Sequence, residues 1–327
     1  MIITIIGLGG VGQQLLHCLL SSQQLSECIS EINVICGTST LIAKAIYDDI
    51  LSKVYTSHIF GDQKSHRIPL VNITLNYDCI SKTDLLVCCY GVPSTFPLKD
   101  RNNLAKDHLD LTNKIFNQIK PLIKEDLLII NSVNPVDIIS WHISEVSGVS
   151  KERIFGISGA HNTARLMMAV EEVLGCKYSK IDKNSLFVVG EHGQYFIPLI
   201  NQIKIDNQLL IDIASSASIN KIIDIAKNKG LEIFNSKKSP PCFGPSSAIY
   251  ELIAILLKGK SSPYCGSIWM QKYNCFLSWP FKIINGFVTP LEINLTEDDS
   301  KKLIDCAFHL IQFKEKLSNG TNSKRYI

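Results

Sequence analysis

A short β-type run, Ile2–Ile6, passes directly into Gly7-Leu8-Gly9-Gly10-Val11-Gly12, and an amphipathic stretch to Leu20 follows. Strand, then G-x-G-x-x-G, then helix leaves the chain few folds to choose from. Gly7 permits the tight turn, Gly9 lets backbone approach a pyrophosphate, and Gly12 lets the helix pack close to the strand. Gly10 precedes the helix that Val11 opens, whose first N–H groups can face a phosphate. The start of the chain therefore reads as a dinucleotide cradle at the edge of a parallel sheet.

The rest of the first half continues that alternation. Ile32–Cys36 reads as strand, Leu41–Leu51 as helix, and Asp84–Tyr90 as a strand buried on both faces. A loop from Gly91 to Asp100 leads to a helix over Arg101–Ile123, bent or restarted near Pro121. Leu127–Asn131 is the next buried strand, and Val136–Ser147 a helix that Gly148 ends. From Gly156 the character changes. Thr163–Leu174, Ile211–Lys229, Ser246–Leu257 and Glu297–Leu317 read as helices. Leu186–Val189 is a strand, a strand pair lies near Ile268–Leu277 and Lys282–Phe287, and the polar tail Ser318–Ile327 reads as frayed. The expected fold is α/β: a doubly wound parallel sheet of the Rossmann type over 1–156, then a second, α+β domain over 157–327.

Composition removes several function classes. The 327 residues carry a net charge of only +3, with no face-sized basic run, which argues against a nucleic-acid partner. No apolar run approaches the ~20 residues that span a bilayer, and Met1 opens directly onto the first strand, so no membrane partner or signal peptide is expected. The eleven cysteines include no C-x-x-C and sit mostly among apolar neighbours. Reduced thiols in a cytoplasmic protein, with no metal site, is the reading that follows.

The second half holds Gly190-Glu191-His192-Gly193 at the exit of a strand. A histidine there can give or take a proton near neutral pH. Paired with a dinucleotide cradle, it describes hydride transfer coupled to proton transfer.

Taken in order, Gly7–Gly12, the loop Gly91–Arg101 with Arg101-Asn102-Asn103-Leu104, Asn131-Ser132-Val133-Asn134-Pro135-Val136-Asp137, Gly156–Arg165 and Gly190-Glu191-His192-Gly193 resemble the lactate and malate dehydrogenase family over nearly the whole chain. The resemblance implies an oxidoreductase that moves a hydride between a nicotinamide cofactor and a small L-2-hydroxy or 2-oxo acid. It implies NAD as cofactor and a homodimer or homotetramer as assembly. His192 would exchange the proton with the substrate's C2 oxygen. Arg165 would clamp the substrate carboxylate bidentately, which Lys cannot copy. Arg101 would swing in with its loop and polarise the carbonyl. Asn134 would donate to the carbonyl oxygen, with Gly91 and Val133 beside it along the cofactor.

Three departures stand out. Where the family carries an acidic residue at the end of strand 2 for the adenosine ribose, this chain has Cys36-Gly37-Thr38-Ser39-Thr40, so NADP is left open. Asn162 replaces the Asp that would bond the catalytic histidine, which predicts a lower histidine pKa. Ser94, nearest the loop position that sets substrate specificity, is no cation, and the loop itself is one residue longer than usual. Opposite it, Pro241 and Cys242 occupy the wall that varies with substrate, and a monocarboxylic or bulkier 2-oxo acid suits this lining better than oxaloacetate. The alternative reading is a catalytically reduced ligand-binding protein that keeps the fold.

Overall fold

The first six strands rise parallel through the molecule, in the order β3-β2-β1-β4-β5-β6. They are β1 (Ile2–Ile6), β2 (Glu31–Ile35), β3 (Leu70–Thr74), β4 (Leu85–Cys88), β5 (Leu128–Asn131) and β6 (Ile154–Gly156). Between them run α1 (Gly10–Leu20), α2 (Thr40–Phe60), α3 (Arg101–Ile119) and α4 (Val136–Ser147). This computed structural model describes residues 1–37, 39–61, 66–92, 101–193, 195–259, 262–284 and 287–322. The strand order is that of a doubly wound dinucleotide fold, which places ligands at the carboxyl ends of the strands. Ile3, Ile5, Val34, Leu86, Val87 and Ile130 are fully buried, because helices cover both faces of the sheet.

The second half contributes α5 (Ser158–Leu174), β7 (Val188–Gly190), β8 (Phe196–Pro198), a small hairpin of β9 (Lys204–Ile205) and β10 (Gln208–Leu209), and α6 (Leu210–Ile213). Then come α7 (Ser216–Lys237), α8 (Phe243–Lys258), β11 (Tyr264–Met270), β12 (Cys275–Ile284), β13 (Phe287–Pro290) and α9 (Glu297–Asn322). The sheet does not stop at β6. β11 pairs antiparallel with it, Ser267 opposite Gly156, and β12, β7 and β8 follow, with β13 on the free part of β12. The main core spans both halves, and Phe155 of β6 stacks on Phe281 of β12 at 5.9 Å. A smaller core of Leu166, Val170, Ile203 and Ile222 helps seat α5 against α7.

Several boundaries differ from the sequence reading. α2 runs on to Phe60 instead of stopping near Leu51; it is a largely exposed helix that buries only Ala43 and Val54, so its periodicity is weak. β3 had no continuous apolar signal, being an edge strand with partly exposed residues. The expected strand pair near Ile268–Leu277 is corrected: residues 271–274 form the turn of the β11–β12 hairpin, with Asn274 at φ +50. Pro280 inside β12 had masked that strand, since proline removes a ladder donor. α7 starts after Ser215, whose side chain accepts from the Ser218 N–H and separates it from α6. The tail is helical through Asn322, and 323–327 lie outside the described residues. Most consequential, α5 begins at Ser158, five residues before Thr163, so Asn162 and Arg165 share one helix.

All eleven cysteines are unpaired thiols. Burial pushes Cys89, Cys265 and Cys275 up to about 12, far from the thiolate form that reacts. Among the described residues, no helix is long and apolar enough to cross a membrane.

Candidate active site

The three motif glycines divide the work as their spacing suggests. Gly7 sits at φ +100, and its N–H donates to the Ile35 carbonyl at 2.9 Å. A Cβ on Gly7 would come within 2.7 Å of the Cys89 backbone, and one on Gly12 within 2.1 Å of the Gly7 oxygen. Both positions are therefore closed by packing. A Cβ on Gly9 would meet nothing within 4 Å, so this turn of backbone is open to a ligand.

Two cavities meet at Gly9 and at Cys89–Gly91. The first, about 430 Å³, is lined by Gly7, Cys36, Ser39, Tyr77, Lys114 and Gln118 among others. Cys36 is tied down, its thiol directed at the Thr74 carbonyl at 3.4 Å, and Ser39 accepts from the Ile42 N–H to cap α2. Among the described residues no carboxylate lines this end, and Lys114, which the sequence reading did not single out, is a cation there. The second cavity, about 830 Å³, passes Gly10, Val11, Gly91, Val133 and Asn134 before reaching α5 and the His192 loop. An open Gly9 between two joined cavities fits a dinucleotide laid across the strand ends.

At the far end, His192 and Asn162 meet, Nδ1 and Oδ1 being 2.7 Å apart. Since an amide oxygen only accepts, Nδ1 carries the proton in this bond. The amide nitrogen of Asn162 is buried and has no hydrogen-bond partner among the described residues. The His192 backbone N–H donates to Asp137 Oδ2 at 3.1 Å, and the Ser158 hydroxyl donates to Asp137 Oδ1 at 3.3 Å. Burial pushes the Asp137 carboxyl up to about 7, and the neighbouring Glu191 charge adds to that. The N-P-V-D turn thus reaches across from the first half to hold the backbone of the histidine loop.

Arg165 is buried on the cavity wall, and its Nε has no partner among the described residues. Burial pulls the guanidinium down to about 10, still fully charged at neutral pH. It lies against Gly230 of α7, where a Cβ would come within 2.6 Å of Nη1. Pro241 and Cys242 line the same cavity, as expected. Ser94 lies outside the described residues, and of Arg101 only its place as first residue of α3 is described.

Three further features escaped the sequence reading. His108 of α3 bonds the Asn134 carbonyl through Nδ1 at 2.5 Å and accepts the Val92 N–H through Nε2 at 3.2 Å, so it joins the loop stem to the N-P turn. Lys227 and Lys237 of α7 reach the rim of the second cavity. His161 lines it beside His192, their ring centroids 6.1 Å apart. The only available signal for His161 was its spacing of four from Arg165, which a helix turns into one face.

Residues 1–156 match the family described as lactate/malate dehydrogenase, NAD binding domain. A malate dehydrogenase of Chlorobium luteolum is 26% identical over 309 residues, covering 92% of this chain and 93% of that protein. Among solved structures, the Cryptosporidium parvum malate dehydrogenase superposes with a TM-score of 0.85 at 20% identity, covering 97% of this chain and 99% of that one. An Eimeria maxima lactate dehydrogenase solved with NADH and oxamate also gives 0.85, at 18% identity over 100% of this chain and 96% of that one. The strand order, the glycine cradle and the placement of His192 and Arg165 converge with these matches: residues 1–156 carry the NAD-binding domain of the lactate/malate dehydrogenase family, and the whole chain shares its fold with malate and lactate dehydrogenases.

Proposed function

We propose that this chain reduces a 2-oxo monocarboxylic acid to its L-2-hydroxy acid, with residues 1–156 holding the dinucleotide and 157–327 the acid. The observation that carries the reading is the placement of His192, Asn162 and Arg165 on one cavity that joins the Gly9 cradle. When bound, the nicotinamide supplies or accepts the hydride. Arg165 receives the substrate carboxylate, which meets a buried guanidinium with Nε uncommitted to the protein. With Nδ1 committed to Asn162, proton exchange with the C2 oxygen falls to His192 Nε2. Asn134, exposed on the cavity wall, orients that oxygen, and the role of Arg101 in polarising it rests on the family resemblance alone.

NAD is the cofactor this reading favours, because among the described residues no arginine lines the Cys36 end where a 2′-phosphate would lie. The apolar wall of Phe234, Pro241 and Cys242 supports an acid without a second carboxylate. The test is a panel of 2-oxo acids with NADH and NADPH, following cofactor absorbance. Turnover of a monocarboxylic 2-oxo acid with NADH is the expected result. Preference for oxaloacetate would transfer substrate choice to Lys227 and Lys237. No turnover, with cofactor still bound, would favour the binding-protein alternative that Asn162 leaves standing.

A homodimer or homotetramer in the cytoplasm completes the proposal. α2 exposes Leu41 and Ile59, and α5 exposes Met168, apolar area that a second copy would cover. Eleven free thiols suit a reducing compartment. Light scattering at a mass of one chain would overturn the oligomer.

A further inference from the structure

The cavity end that holds His192 and Arg165 contains a second imidazole with no assigned task. His161 and Arg165 lie four residues apart on α5, so their side chains project from the same face, one turn apart. The His161 ring packs on the first turn of α8. A Cβ on Gly244 would lie 2.5 Å from its Cε1 and 2.7 Å from Nδ1, but 3.8 Å from Nε2. Gly244 therefore makes the space the ring occupies, and Nε2 is the nitrogen farther from that wall. His192 lies 6.1 Å away between ring centroids, and both rings line the cavity that Arg165 also faces.

We propose that His161 is a second carboxylate-binding residue, its Nε2 hydrogen-bonding the C1 carboxylate of the 2-oxo acid that Arg165 clamps. This rests on the function proposed above and deepens it. The substrate's carboxylate has two oxygens and several lone-pair directions, more than one guanidinium edge satisfies. A neutral N–H on the neighbouring turn can fill one of them without bringing a second cation against Arg165. Burial, then the Arg165 and His192 charges, push His161 down to about 3, so it enters neutral. For the same reason it cannot serve as the proton donor near pH 7, and that task stays with His192. His161 thus contributes binding and orientation rather than acid chemistry. A ring braced by Gly244 holds its hydrogen bond in a single direction, which favours the one carboxylate orientation that leaves the C2 oxygen at His192.

The test is calorimetric titration of oxamate, an unreactive 2-oxo acid analogue, into protein saturated with NADH. His161→Leu should weaken oxamate by about tenfold or more, the loss of one hydrogen bond to a charged group. His161→Gln, which keeps a nitrogen donor at similar reach, should recover most of that loss. Gly244→Ala displaces the ring without removing it, and should weaken oxamate as His161→Leu does. Adding Gly244→Ala to His161→Leu should cost nothing further. NADH affinity, measured on each variant, reports whether the fold survives and should stay unchanged. Oxamate binding by His161→Leu equal to that of the unaltered protein would overturn the inference. If His161→Leu has no effect while Arg165→Lys still weakens oxamate, the function proposed above stands and this inference alone falls. If the unaltered protein does not bind oxamate at all, both fall.

Discussion

His192 bonds through Nδ1 to the side-chain oxygen of Asn162, 2.7 Å away, where a dehydrogenase of this family would be expected to offer a carboxylate. The geometry of orientation is kept and the charge is not. An amide oxygen holds the Nδ1–H tautomer in place, yet it does little to stabilise the imidazolium that the proposed reduction calls for.

Asn162→Asp should therefore raise the histidine pKa and the rate of 2-oxo acid reduction. Tautomer control is already present, so the gain is that of charge alone: about one pKa unit and about tenfold in turnover near pH 7. The buried amide nitrogen that Asp would replace has no partner to lose among the described residues. The check is kcat/KM against pH at saturating NADH, whose acidic-form limb should move upward. An unchanged rate and profile would remove His192 from the chemistry.

Arg165→Lys should reduce affinity for the acid by about a hundredfold and leave NADH binding within about twofold. Only the planar guanidinium gives two parallel bonds to a carboxylate, and each charge-assisted bond is worth about 1.5–3 kcal/mol. Separate titrations of NADH and of oxamate measure the two effects. Equal losses for both ligands would mark Arg165 as a structural residue.

Cys36→Asp should favour NADH over NADPH. A carboxylate at the end of β2 supplies a ribose acceptor and repels a 2′-phosphate. The ratio of the two dissociation constants, before and after substitution, is the readout. A ratio that stays put would mean that the adenosine end does not lie against Cys36.

Asp137 predicts a pH dependence of stability. Its carboxyl titrates near 4 when unfolded and near 7 in the fold, so the folded protein binds the extra proton between those values. Stability from this group is full below pH 4 and declines as pH rises through 7. Thermal unfolding from pH 5 to 8 should show a downward trend that Asp137→Asn flattens. A trend that survives the substitution would assign it to other groups.

The sequence made the cradle legible because its chemistry is local: Gly7, Gly9 and Gly12 act within one turn of backbone. Arg165, Asn162 and His192 were legible through motif order, and the bond between the last two follows from α5 facing the loop after β7. His161 and His108 were not. Each matters through a neighbour distant in sequence, Gly244 for one and the Val92 and Asn134 backbone for the other. The same limit explains the hairpin error, where Pro280 interrupts a strand that pairing with β11 nevertheless stabilises.

The antiparallel step from β6 to β11 has a practical outcome. Residues 1–156 match a family description of their own, yet their last strand finds its outer neighbour at Ser267 and an aromatic partner for Phe155 at Phe281. A fragment cut at Gly156 would present an unpaired strand edge and a bare Phe155, the features that make a truncated protein aggregate. Recombining residues 1–156 with the second half of a related dehydrogenase would have to preserve that one strand register, whatever else is exchanged.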